Sequence, residues 1–226
     1  MMKGAALLLL NLGRESYARA WELQHQFVKA RQEGRLGDIL ILLEHDPVIT
    51  LGRSADTRHI LASPEVLQRE GIEVRRVERG GAVTYHGPGQ LVGYPILLLE
   101  AHRLGVSDYM HALEEVLIRT LLDLGLTAYR RKGLIGVWVQ GEKIAALGAR
   151  IERGVTYHGF ALNVAPNLEH FSLIVPCGST DTRVTSIAQT LGKSVEMRLV
   201  RQRVAWNFGQ VLGIPLEETT IAQLTV

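Results

Sequence analysis

Apolar and polar positions along the chain change period several times, and each change marks an element. Residues 5–12 are an apolar run of strand length. Residues 16–31 then place Tyr17, Trp21, Phe27 and Val28 at roughly helical intervals. A glycine-bounded break at residues 34–37 leads into two apolar runs, 38–44 (DILILLE) and 48–51 (VITL), separated by Pro47. Ser63-Pro64-Glu65 has the form of a helix start: a capping hydroxyl, a proline in the first turn and an acid beside it. Gly71 ends that helix. Strand-like segments follow at 72–77, 81–86 and 91–99. Ser107 is the expected cap of the next helix. Its buried stripe is Leu113, Val116, Leu117, Leu121 and Leu124, and Gly125 stops it. Segments 126–130, 135–139, 143–152 and 155–164 again read as strands, with a tight turn at Gln140-Gly141-Glu142. A short helix at 185–191 and a longer one at 195–212 follow, the latter with Val200, Val204, Phe208 and Val211 on one face.

Strands cluster in the middle of the chain and helices sit between groups of them. Tight turns imply antiparallel pairs, and the strict alternation of a doubly wound sheet is absent. The expected fold class is therefore α/β of α+β character: a mixed β-sheet flanked by helices. No low-complexity run or linker interrupts it, so a single domain over residues 1–226 is expected. The length suits one large core.

Composition narrows the function classes. Hydrophobic residues make up 46% and charged residues 21%, the balance of an ordinary globular protein. The apolar start resembles a signal peptide, but the run ends at Leu12 without a cleavage region and a helical pattern follows at once, so a buried first strand is expected. No stretch approaches the ~20 apolar residues of a membrane span, so no membrane partner is expected. A net charge of +2 and 6% aromatic residues argue against a nucleic-acid surface. Cys177 is the single cysteine, which forbids an internal disulfide and agrees with a reducing cytoplasm. None of the eight histidines falls in HxH or HExxH spacing, so no metal site is expected.

Three places could carry chemistry. RGGAVTYHGPGQ (residues 79–90) holds four glycines between apolar strands, and its exposed N–H groups could hold an anion or a carbonyl oxygen. It has neither the P-loop nor the dinucleotide pattern. A plain β-turn is an equally good reading, and a histidine such as His86 is more often a hydrogen-bonded structural residue than a ligand or acid/base. VTYHG recurs at residues 155–159, but the flanks diverge at once. No wider period accompanies them, so a duplicated domain is not expected. Cys177 lies in IVPCGST, between a stiff proline and small polar residues. A lone cysteine is usually an inert, buried hydrophobe, but this segment does not have the pattern of a core strand. At its ordinary pKa of ~8.5 only a few per cent is thiolate, so a neighbouring ammonium would matter. Lys143 is the best donor, at the head of KIAALGAR, whose small residues leave space beside it; by default it is a solvated hairpin lysine.

Five blocks occur in order: EHDPVITLGR (44–53), RGGAVTYHGPGQLVGYPI (79–96), GEKIAALGAR (141–150), YHGFALNV (157–164) and IVPCG (174–178). Together they resemble the lipoyl(octanoyl) transferases, over roughly residues 10–189. The resemblance implies the fold of biotin- and lipoate-protein ligases. It implies transfer of octanoyl from octanoyl-acyl carrier protein to a lysine of lipoyl-domain proteins, such as 2-oxoacid dehydrogenase subunits and the glycine-cleavage H protein, with no cofactor. It implies Cys177 as the residue that carries the acyl group, and Lys143 as the group that lowers its pKa and shuttles protons. It implies substrate contacts at Arg79, Gly80, Gly81, Ala82, Val83, Thr84, Tyr85 and His86. Further contacts fall at Ala146, Leu147 and Gly148, and at Gly159, Phe160 and Ala161. One departure is Ala146, which stands where serine is common. A monomer is expected, and Arg75, Arg76, Arg130, Arg131 and Lys132 are candidates for meeting an acidic carrier. The rivals are an ATP-dependent ligase on the same fold, a non-catalytic carrier-binding module and a cysteine hydrolase.

Overall fold

A computed structural model describes residues 6–175 and 183–224. Eight strands form its larger sheet. In order across the sheet they are β11 (Leu216–Thr219), β1 (Leu7–Glu15), β2 (Ile39–His45), β6 (Gln90–Ile96), β10 (Val155–Asn163), β9 (Glu142–Glu152), β8 (Leu134–Val139) and β7 (Tyr129–Arg131). A second sheet has the order β4 (Glu73–Arg76), β3 (Val48–Leu51), β5 (Val83–His86). β1 runs parallel to β11 and β2, and the pairs from β2 onward are antiparallel, so the sheet is mixed as expected.

The continuous apolar run 38–44 has a simple cause: β2 is covered on both faces. Leu40 and Leu42 enter the core beneath α3 (Val106–Asp123) and α5 (Met197–Leu212). Ile39, Ile41 and Leu43 enter the core beneath α1 (Tyr17–Gln32). A third cluster, with Ile49, Leu51, Leu67 and Tyr85, packs the small sheet against α2 (Pro64–Arg69) and the short turns around residues 168–174.

Caps account for where the helices begin. Ser63 Oγ accepts from Val66 N–H, as its sequence predicts, and Ser16 Oγ likewise accepts from Arg19 N–H at the start of α1. The cap of α3 is different. Gly105, not Ser107, is its first flanking residue, because the Asp108 carboxylate accepts from Gly105 N–H at 3.2 Å and fixes the turn two residues earlier. Segment 126–130 is a strand only from Tyr129, since Leu126 drops into the core under α3. β11 has no counterpart in the sequence reading: LEET has a single strongly apolar residue, Leu216, and is held by parallel pairing with β1. α4 (Ile187–Leu191) matches the expected short helix. Among the described residues no helix is long and apolar enough to cross a membrane.

Between β6 and β10 the ladder is adapted. Pro95 sits in a central strand without an N–H to give. Thr156 compensates: its hydroxyl donates to Pro95 O at 2.7 Å and accepts from Leu97 N–H at 3.0 Å. Two residues on, His158 takes φ +54°, and its N–H turns to the buried Gln24 Oε1 of α1 at 2.7 Å. This irregularity lies where the site begins.

Candidate active site

Residues of both sheets line a cavity of about 630 Å³, within the range of small-molecule sites. One wall is Arg79 to Thr84 with His86. The other is Lys143 and residues 146–149 of β9, with His158 to Ala161 of β10. Tyr17, Val92 and Tyr94 also line it, and the exposed Val106, Leu134 and Ile135 lie at its rim. The two VTYHG copies therefore meet at one cavity, from different sheets. A smaller hollow of about 360 Å³ lies at the β1–β11 edge and holds none of these groups.

Close backbone approach builds the glycine wall. Gly80 N–H donates to Ala149 O at 3.1 Å, and a Cβ on Gly148 would stand 2.8 Å from Gly80 O. Arg79 is buried and clamps the loop: its Nε and Nη2 donate to Thr50 Oγ1, and Nη2 also reaches Thr50 O at 2.7 Å. Period-two alternation in β5 sends Thr84 and His86 toward the cavity and Tyr85 away from it. Tyr85 is the one expected contact residue among those described that does not line the cavity. Its hydroxyl pairs with His170 Nδ1 at 2.7 Å and its ring packs edge-on against Phe171.

Lys143 is only 8% exposed. Its Nζ donates to Ile135 O at 3.1 Å and lies 5.3 Å from the centre of the Trp138 ring, a cation–π distance. Its backbone is held on both sides by residues that follow the PCG segment: Lys143 N–H donates to Arg183 O at 2.8 Å, and Thr185 N–H donates to Lys143 O at 3.0 Å. Cys177 itself lies outside the described residues. A hydrogen-bonded chain joins this corner to the other wall. Asn163 Nδ2 donates to Thr185 O, Gln90 Nε2 donates to Asn163 Oδ1, and Gln90 Oε1 meets His86 Nδ1 at 2.6 Å.

Burial disfavours the charged form of each histidine here. Burial pushes His86 down to about 3, helped by neighbouring His45 and Arg79 and opposed by the Gln90 bond. Burial likewise holds His45 at about 4, where its Nε2 meets the Tyr94 hydroxyl at 2.6 Å. His158 is also lowered by burial, against the pull of Glu78. Arg79 and Lys143 are the arginine and the lysine among the described lining residues. No cluster of metal-ligating side chains occurs among the described residues. Sequence reasoning missed Tyr17, His45, Tyr94, His158 and Trp138. His45 and His158 lie inside blocks quoted above, but nothing in their spacing shows that His158 would line the cavity or that His45 would pack against its lining residues Tyr17, His86 and Tyr94.

Of the candidate carrier contacts, Arg130 is bonded to Glu114 and Glu115, Arg131 stacks over Trp138 at 5.9 Å, and Arg75 pairs with Glu73.

Residues 16–209 match the lipoyl protein ligase A/B catalytic domain, which is the class that the fold and cavity define. A chain of the bipartite lipoate protein ligase and E2 lipoyl domain structure from Thermoplasma acidophilum superposes with a TM-score of 0.77. It is 22% identical, with 99% of this chain and 89% of that one covered. The octanoyltransferase of Acidobacterium capsulatum is 50% identical over 222 residues, spanning 92% of this chain and 90% of its own length. That of Alkaliphilus metalliredigens is 47% identical over 214 residues, spanning 94% and 98%. Within the class, the chain belongs to the octanoyltransferase family.

Proposed function

We propose that this chain, as one catalytic domain, moves an octanoyl group from octanoyl-acyl carrier protein to a lysine of a lipoyl domain through a thioester on Cys177. That is the first step of protein lipoylation. The carrying observation is the seat of Lys143: on the cavity wall, opposite the glycine loop, with its backbone bonded to Arg183, six residues beyond Cys177. Identity of about half to proteins named octanoyltransferase supports the same reading.

The chemistry follows from the groups. At ~4 Å and an effective dielectric of ~20, an ammonium beside a thiolate is worth ~4 kcal/mol before desolvation, enough to lower a thiol pKa by a unit or more. The Cys177 thiolate attacks the octanoyl carbonyl. The carbon–sulfur bond to the carrier's phosphopantetheine breaks, and the departing thiolate takes a proton from the Lys143 ammonium. Lys143, now neutral, accepts a proton from the acceptor lysine. The freed amine attacks the thioester, its nitrogen gives the one remaining surplus proton to solvent as the amide forms, and Cys177 leaves as thiolate beside a recharged Lys143. The donor arrives activated, so the scheme needs no ATP and no metal. Apolar lining such as Val92, Leu147 and Phe160 suits an eight-carbon chain. Without a cysteine thiolate the scheme stops. Octanoyl transfer from the carrier to a lipoyl domain is therefore expected without ATP, and is expected to vanish in Cys177→Ala.

The fold likeness to a lipoate protein ligase favours one rival, an ATP-dependent ligase. Transfer of free lipoate that needs ATP and survives in Cys177→Ala would establish it instead.

A further inference from the structure

We infer that Glu114 is a positioning residue for Lys143, acting through the peptide group between Ile135 and Gly136; this rests on the reading of Lys143 as the acid/base partner. Glu114 projects from α3 and is 4% exposed, an unusual burial for a carboxylate. Its Oε1 accepts from Gly136 N–H at 3.0 Å, and its Oε2 accepts from Arg130 Nε at 3.0 Å. The carbonyl of the same peptide unit, Ile135 O, accepts from Lys143 Nζ at 3.1 Å.

A trans peptide is planar, and its N–H and C=O point in opposite directions. Glu114 therefore grips one end of the unit and Lys143 the other. A carboxylate on the N–H side polarises the group and makes its oxygen a stronger acceptor. The grip also fixes orientation. Gly136 has φ +148°, a region open to glycine, and a Cβ there would stand 2.6 Å from Lys143 Cε. Glycine is thus needed to admit the lysine stem, but it also lets the preceding peptide rotate easily. Rotation would turn Ile135 O away from Nζ. Glu114 prevents it, with Arg130 balancing the buried charge. Arg130 keeps the outward partners Glu115 Oε2 and His111 O, so its charge does not depend on Glu114 alone.

The test is a double-mutant cycle on single-turnover acylation by octanoyl-carrier protein, with Lys143 13Cε resonances recorded at fixed pH. Glu114→Ala is expected to slow acylation about tenfold in the native background and less than about twofold in Lys143→Ala. Glu114→Gln keeps an acceptor for Gly136 N–H, and is expected to stay within about threefold of native. The Lys143 13Cε resonance should move in Glu114→Ala and hold in Glu114→Gln. An equal slowing in both backgrounds, or an unmoved resonance in Glu114→Ala, overturns the inference. If Glu114→Ala does not fold, Glu114→Leu at similar volume carries the same expectations. Native acylation in Lys143→Ala would instead sink the acid/base reading, while the resonance would still decide whether Glu114 positions the lysine.

Discussion

Gly159 is the position where close packing of the central strands is most demanding. A Cβ there would stand 2.4 Å from Gly93 O and 2.6 Å from Pro95 Cδ. Carbon and oxygen normally approach no nearer than about 3.3 Å, so β6 and β10 would have to separate by close to an ångström. Neither obstacle is a side chain that can rotate away: one is backbone and the other a proline ring. Gly159→Ala is therefore expected near the upper end of the overpacking range, about 3 kcal/mol. Alanine's smaller unfolded-state entropy returns about 0.4–1 kcal/mol, because this glycine does not sit at positive φ. The net loss is about 2 kcal/mol, or a fall in Tm of about 4–8 °C for a chain of this size. Gly37→Ala is the control, since nothing lies within 4 Å of its Cβ, and it should match or slightly exceed native stability. Urea and thermal unfolding followed by two probes measure both. Native-like stability in Gly159→Ala would refute the claim that this glycine exists for backbone approach, and with it the geometry that brings the second VTYHG copy to the cavity.

Three further outcomes follow from the same geometry. Gly136→Ala places a Cβ 2.6 Å from Lys143 Cε, so acylation by the folded fraction should fall more than about tenfold, read by single-turnover kinetics. Tyr85→Phe loses the 2.7 Å bond to His170 on the side away from the cavity. Stability should fall by about 1 kcal/mol, with octanoyl transfer within about twofold of native. Burial depresses His86 to about 3 and His45 to about 4, so the unfolded chain takes up protons below ~6.5 that the folded chain does not. Stability should therefore fall as pH drops from ~6.5 toward 4, by up to about 1.4 kcal/mol per pH unit for each ring, and His86→Asn should flatten the slope in urea unfolding.

What was legible in the sequence was mostly one-dimensional. The Ser63 cap, the apolar strand DILILLE, the turn at Gln140-Gly141 and the α5 stripe all have local signatures that the fold kept. The cap of α3 was misread because the Asp108 carboxylate reaches back to accept from Gly105 N–H, which starts the helix two residues before the serine. β11 was invisible because pairing with β1, not its own pattern, makes it a strand. Tyr85 was grouped with its neighbours by block, but a strand sends alternate residues to opposite faces, and Tyr85 took the other one. Tyr17, His45, Tyr94 and His158 come from four separate elements, and only the crossing of α1 with β2, β6 and β10 gathers them. The buried Glu114 had no sequence signal, since it sits in the apolar stripe of α3 as an apparent exception.

The central claim is a covalent octanoyl group on Cys177. Intact-protein mass spectrometry after mixing with octanoyl-carrier protein, without ATP, tests it most directly. One octanoyl adduct is expected that hydroxylamine removes, that maps to the peptide containing Cys177, and that disappears when a lipoyl domain is added. An unmodified protein that still transfers octanoyl, or an adduct that persists in Cys177→Ala, would contradict it.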